Sequence, residues 1–128
     1  MLVGIGTDIV RIARFERMLE RHGMRVAERI LGADELLEFA ACARPARFLA
    51  KRFAVKEAVA KAFGTGFRDG LSLRHIGLEH DRLGRPELIF SGRAQELCAL
   101  LGVGESHVSV ADEDDYALDF VTLLRANV

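Results

Sequence analysis

The stretch between Pro45 and Gly64 constrains the fold more than any other part of this sequence. Pro45 suits the first turn of a helix, and Gly64 suits the left-handed position just past its end. Between them no Gly or Pro intervenes, and Ala, Leu, Lys and Arg dominate. The spacing predicts one long helix over 45–63. The chain has 128 residues, half of them apolar, which suits a single folded domain, residues 1–128. A chain of this length buries roughly two-thirds of its unfolded surface and needs no metal or disulfide staple. Disorder and collagen-like repeats are excluded by composition. The net charge is −1, so no global field favours nucleic acid or an anionic membrane.

The rest of the chain divides around that helix. Residues 2–10 read as a buried strand, with Gly4 and Gly6 allowing close backbone approach. Residues 11–22 change period: Ile12, Phe15, Met18 and Leu19 share a helical face, and arginines cover much of the remainder. Helices are expected over 24–31 and 34–42, the latter with Asp34 as cap. Residues 75–80 and 87–90 form a hairpin around the turn 81–86. A helix over 92–101 ends at Gly102. Strands at 107–111 and 116–124 flank the acidic turn 112–115. The fold class is α+β, because antiparallel hairpins argue against a doubly wound parallel sheet. Cys42 and Cys98 read as reduced core thiols. With no signal segment and no apolar run near the ~20 residues of a membrane span, a cytoplasmic protein is expected.

Two acids stand out. Asp8 lies inside an apolar strand, where a carboxylate is costly unless paired, protonated or bound to a cation. The plainer alternative is a cap for the helix that begins near Arg11. Glu57 is the one acid among five cations (Arg47, Lys51, Arg52, Lys56, Lys61) on the long helix. Its plainer alternative is a surface pair with Lys61. Taken together, two carboxylates beside Lys and Arg make a poor zinc site, having no Cys or His at ligand spacing. They make a good partial Mg²⁺ site, because Mg²⁺ takes one or two carboxylates plus substrate phosphates. The glycine loop at Gly64 and Gly66 could approach a phosphate closely. The residues therefore point to a Mg²⁺-dependent enzyme acting on a phosphoanhydride. A rival from another class is a non-enzymatic module that binds an acidic protein through the arginine-rich helices. Nucleic acid is disfavoured by the charge balance and by the lack of interleaved aromatics.

The motif Gly4-Ile-Gly-Thr-Asp8-Ile-Val, followed by Arg47-Phe-Leu-Ala-Lys-Arg-Phe-Ala-Val-Lys-Glu57-Ala-Val-Ala-Lys61-Ala-Phe-Gly-Thr-Gly66, resembles the 4′-phosphopantetheinyl transferases. The likeness is to their small, single-domain branch, the holo-[acyl-carrier-protein] synthases. It extends through Gly84-Arg-Pro86 and His107-Val-Ser-Val-Ala-Asp-Glu-Asp-Asp-Tyr116-Ala. The resemblance implies a mainly antiparallel sheet packed against one long and several short helices. It implies transfer of the phosphopantetheine arm of coenzyme A to a serine of apo-acyl carrier protein, releasing 3′,5′-ADP, in fatty acid biosynthesis. It puts Mg²⁺ on Asp8 and Glu57, and Lys61 beside the diphosphate. Arg52, Lys56, Gly64 and Gly66 fall around the coenzyme, and Glu57 is the preferred proton acceptor. It further implies a homotrimer with the coenzyme between subunits, and an acidic carrier protein docking on Arg14, Met18, Arg25 and Arg29. Some relatives carry His where this chain has Asp112, so a mechanism relying on that His does not transfer; Asp112 reads as a turn residue.

Overall fold

The computed structural model describes residues 1–127. Helix α4 (Pro45–Phe63) runs through its centre for 19 residues, and much of its circumference is buried. Before it come β1 (Leu2–Arg11), α1 (Ile12–His22), α2 (Met24–Ile30) and α3 (Ala33–Ala41). After it come a 3₁₀ turn (Leu73–His75), β2 (Ile76–His80), β3 (Pro86–Phe90), α5 (Gly92–Leu101), β4 (Val103–Asp112) and β5 (Tyr116–Arg125). The architecture is α+β, and every strand pair is antiparallel: a sheet in the order β1-β5-β4 and a β2-β3 hairpin.

One face of the larger sheet packs on α4. Two apolar clusters form along the helix. Val55, Ala58, Val59 and Phe63 meet Ile76, Leu97, Val121 and Leu123. Leu49, Ala50 and Ala54 meet Phe15, Val26, Ile30 and Leu31. The contact with β1 is main chain on main chain. A Cβ at Gly4 would overlap the Ala62 carbonyl oxygen, and one at Gly6 the Ala58 carbonyl oxygen. The two glycines therefore set how close Asp8 comes to α4.

Three expectations need correcting. Strand β1 is covered on one face only: Ile5 and Ile9 are 53% and 60% exposed. Side chains alternate across a strand, and only one face of this sheet has a helix layer, so the apolar run splits between core and surface. Helix α3 is not capped by Asp34; Gly32 is its N-cap, and the Glu35 Oε1 accepts the Gly32 N–H at 3.1 Å. Strand β4 starts at Val103, well before 107, because Gly102 ends α5 and the chain enters the sheet at once, through a bulge near Gly104.

Candidate active site

Asp8 lies late in β1, between the inward-facing Gly6 and Val10. Its Oδ1 accepts a hydrogen bond from Lys61 Nζ at 2.9 Å, and the same ammonium donates to the Thr7 carbonyl at 2.9 Å. Helical spacing places Glu57 one turn before Lys61 on α4. Burial holds the Glu57 carboxyl above the usual carboxylate range, and the Asp8 charge adds to this; Lys61 and Arg14 pull the other way. Asp8, Glu57, Lys61 and Arg14 thus form one electrostatic patch where β1 crosses the second half of α4. The Lys61 side chain stays 53% exposed, so its ammonium can reach an anion arriving from solvent.

Among the described residues, no three His, Cys, Asp or Glu side chains converge tightly enough to hold a metal by themselves. The donor set is two hard, partly buried carboxylates that repel each other, flanked by a half-exposed lysine. This fits Mg²⁺, which completes its shell with water and substrate oxygens.

Sequence reasoning missed Asp119, on β5. It is 0% exposed, and neither carboxylate oxygen has a hydrogen-bond partner. Burial pushes it up to about 7, with the Asp8 charge adding; the nearby Phe120 main-chain N–H opposes this without reaching hydrogen-bond geometry. The signal was present: Ala117, Asp119, Val121 and Leu123 share the inward parity of β5, and Asp119 is the polar exception.

Arg52 and Lys56, expected around the coenzyme, do not join this patch. They point into the interior from a face of α4 roughly 100–180° around the axis from Glu57 and Lys61. Arg52 Nη1 donates to Glu35 Oε2 at 2.9 Å and to the Leu78 carbonyl at 3.0 Å, and Nη2 to Glu38 Oε2 at 2.6 Å. Lys56 Nζ donates to Glu35 Oε1 at 2.6 Å and to the carbonyls of Leu73 and Ile76. Burial lowers the Lys56 pKa and Glu35 partly restores it. The glycine loop offers space but not these donors. Gly64 and Gly66 have φ of 81° and 65°, and their N–H groups are taken by the Lys61 and Ala60 carbonyls as the helix ends.

Asp112 is a tether. Arg47 Nη1 donates to its Oδ2 at 2.7 Å and holds its carboxyl below the usual range, with Lys51 Nζ at 3.4 Å. Arg47 also reaches the Glu113 and Asp114 carbonyls, which pins the β4–β5 turn to α4. The expected docking residues are brought together. Met18, Arg25 and Arg29 line one cleft of about 450 Å³ with Val26, Phe53 and Leu73. The Arg14 guanidinium lies over the Phe53 ring, 5.2 Å from its centroid, and so links that cleft to the Glu57 patch. A second cleft, about 720 Å³, gathers Arg44, Arg47, Lys51 and the edge of Arg52 beside Gly84 and Pro86.

On the outward side of the larger sheet, Ile5, Ile9, Leu118 and Phe120 are 45–60% exposed large hydrophobics, with Ile9 opposite Leu118 across the strands. No helix of the structure is long and apolar enough to cross a membrane among the described residues.

The 4′-phosphopantetheinyl transferase superfamily matches residues 4–121. A holo-[acyl-carrier-protein] synthase of Nitrosococcus oceani is 55% identical over 97% of this chain and 80% of that protein. One from Halorhodospira halophila is 53% identical, over 97% of this chain and 98% of its own length. Among solved structures, a holo-[acyl-carrier-protein] synthase from Neisseria meningitidis superposes with a TM-score of 0.93 at 44% identity, covering 98% of this chain and all of that one. One from Bacillus anthracis, in complex with CoA (3′,5′-ADP), gives 0.82 at 34% identity over 98% and 99% of the two chains. These relatives are enzymes that match nearly end to end, which sets aside the non-catalytic module: the chain belongs to the 4′-phosphopantetheinyl transferase superfamily, in its holo-[acyl-carrier-protein] synthase branch, and is a transferase.

Proposed function

We propose that this chain, as one domain over 1–128, moves the 4′-phosphopantetheine arm of coenzyme A onto a serine of apo-acyl carrier protein. The products are holo-acyl carrier protein and 3′,5′-ADP, and the role is in fatty acid biosynthesis. The observation that carries this reading is the patch of Asp8, Glu57 and Lys61. It presents two carboxylates and a half-exposed ammonium to a diphosphate. Asp8 and Glu57 would hold Mg²⁺, which when bound supplies charge neutralisation at the diphosphate.

The chain's own residues account for the rest. Lys61 leaves Asp8 for a diphosphate oxygen and offsets the charge that develops as the bond to phosphorus breaks. The serine oxygen attacks the β-phosphorus, the phosphoanhydride bond breaks, and the electron pair departs on 3′,5′-ADP. Glu57, directly or through a water, accepts the serine proton. The cations of Arg44 and Lys51 suit the remaining 3′-phosphate of the coenzyme. The cleft of Met18, Arg25 and Arg29, with Arg14 at its edge, suits an acidic carrier protein. The apolar sheet face of Ile5, Ile9, Leu118 and Phe120 suits burial against neighbouring copies in a homotrimer. The free thiols Cys42 and Cys98 suit a reducing cytoplasm.

The test is incubation of apo-acyl carrier protein with coenzyme A, Mg²⁺ and this protein, read by intact-mass spectrometry and by chromatography of the nucleotide. The reading predicts a carrier heavier by one phosphopantetheine arm and an equal amount of 3′,5′-ADP. An unmodified carrier beside intact coenzyme A would overturn it.

A further inference from the structure

Asp119 has no task in the reading above, and its surroundings are unlike those of the other buried charges. Glu35, Arg52 and Lys56 are each 5% exposed or less, and all three are mutually satisfied. Asp119 is 0% exposed with both carboxylate oxygens unpartnered. Its inward neighbours along β5, Ala117 and Val121, are also fully buried and apolar, so its own strand supplies no side-chain partner. Across the sheet it stands directly opposite Asp8 in the β1–β5 register. Opposed residues of antiparallel strands share a face, with Cβ atoms about 4.5–5.5 Å apart, and like charges so placed repel. The Thr7 hydroxyl donates to the Asp119 carbonyl at 2.8 Å and helps pin this register. Lys61, the cation that pairs with Asp8, gives its hydrogen bonds to Asp8 and the Thr7 carbonyl, none to Asp119.

A buried, unpartnered acid beside another acid is unfavourable in the ion-free protein and is relieved when positive charge arrives. We propose that Asp119 is a positioning residue of the divalent-cation site, a third carboxyl standing beside Asp8 that strengthens ion binding without touching substrate. The proposal rests on the reading that Asp8 and Glu57 hold the ion. It also agrees with the absence of any three-carboxylate cluster among the described residues, because Asp119 acts from beside the ion's ligand.

The test is Mn²⁺ binding to the whole protein without coenzyme, followed by electron paramagnetic resonance. Thermal denaturation is measured with and without the ion. Asp119→Asn keeps the shape and removes the charge; Asp119→Ala is read in parallel in case the amide misfolds. Both should weaken Mn²⁺ on the order of tenfold, and the better-folded of the two should melt no lower than the parent when ion-free. Asp8→Asn is the control. Parent-like Mn²⁺ affinity in the Asp119 variants, with binding lost in Asp8→Asn, overturns the role of Asp119 and leaves the metal reading standing. Parent-like affinity in Asp8→Asn overturns both. An ion-free melting point below the parent in both Asp119 variants also overturns the proposal, because the carboxyl would then be a stabilising structural partner.

Discussion

Glu35→Gln separates a structural role for Arg52 and Lys56 from a coenzyme-binding one. The substitution keeps the shape of the side chain and removes its charge. Arg52 retains Glu38 and the Leu78 carbonyl, but Lys56, 1% exposed, keeps only the Leu73 and Ile76 carbonyls. Breaking a buried ion pair by neutralising one partner costs about 3–5 kcal/mol. Unfolding entropy of roughly 2.1 cal/mol/K per residue then converts this to a melting-point loss of roughly 10–20 °C for a chain of this size. The assay is calorimetry at fixed protein concentration, since the proposed assembly would make the melting point concentration-dependent. The Michaelis constant for coenzyme A is measured well below the transition. It should change by less than about twofold, because these groups face the interior. The sign with pH is also fixed. Lys56 titrates below its ordinary 10.5 in the folded state, so in that window the unfolded chain binds more protons and stability rises with pH. Losing Glu35 lowers the Lys56 pKa further, so the variant's deficit should shrink as pH climbs toward 10.5. A parent-like melting point with a much raised Michaelis constant for coenzyme A would refute the reasoning and return both cations to the coenzyme.

Lys61→Ala should lower turnover by about 10²–10³-fold with little change in the carrier-protein Michaelis constant; the reverse pattern in steady-state kinetics would contradict its place at the diphosphate. Arg25→Glu should raise the carrier-protein Michaelis constant and flatten its salt dependence, since exposed charges are screened within about 10 Å at 0.1 M. Arg25 is the better probe than Arg14, whose charge also acts on Glu57. Phe120→Asp places a charge on the apolar sheet face proposed to bury against neighbouring copies, and light scattering should find single protomers; an oligomer mass equal to the parent's would mean that this face is not the interface.

What the sequence made legible was local. Pro45 and Gly64 bound α4, and the β2–β3 turn followed from Gly84, at φ 86°, and Asp81, whose Oδ1 accepts the Leu83 and Arg85 N–H groups. Asp8 and Glu57 were visible because each is an acid in a setting that otherwise excludes acids. What stayed hidden depended on partners from elsewhere in the chain. The periodicity of α4 puts Arg52 and Lys56 on one face, but only α3 decides that the face is internal, by bringing Glu35 and Glu38 over it. Likewise the residues of β1 are equally apolar on both sides, and the single helix layer decides which side is covered. Asp119 went unread because the strand's parity shows which way it faces, while its opposition to Asp8 needs the β1–β5 register.

The central claim is that Asp8 and Glu57 hold the cation on which transfer depends. The direct measurement is the rate of mass gain by apo-acyl carrier protein across a Mg²⁺ series, for the parent, Asp8→Asn and Glu57→Gln. The account predicts that the parent reaction stops when the ion is chelated. It also predicts that each variant falls by orders of magnitude at limiting Mg²⁺ while its melting point stays near the parent's. Parent-like rates for Asp8→Asn at limiting Mg²⁺, or transfer that persists in full under chelation, would contradict it.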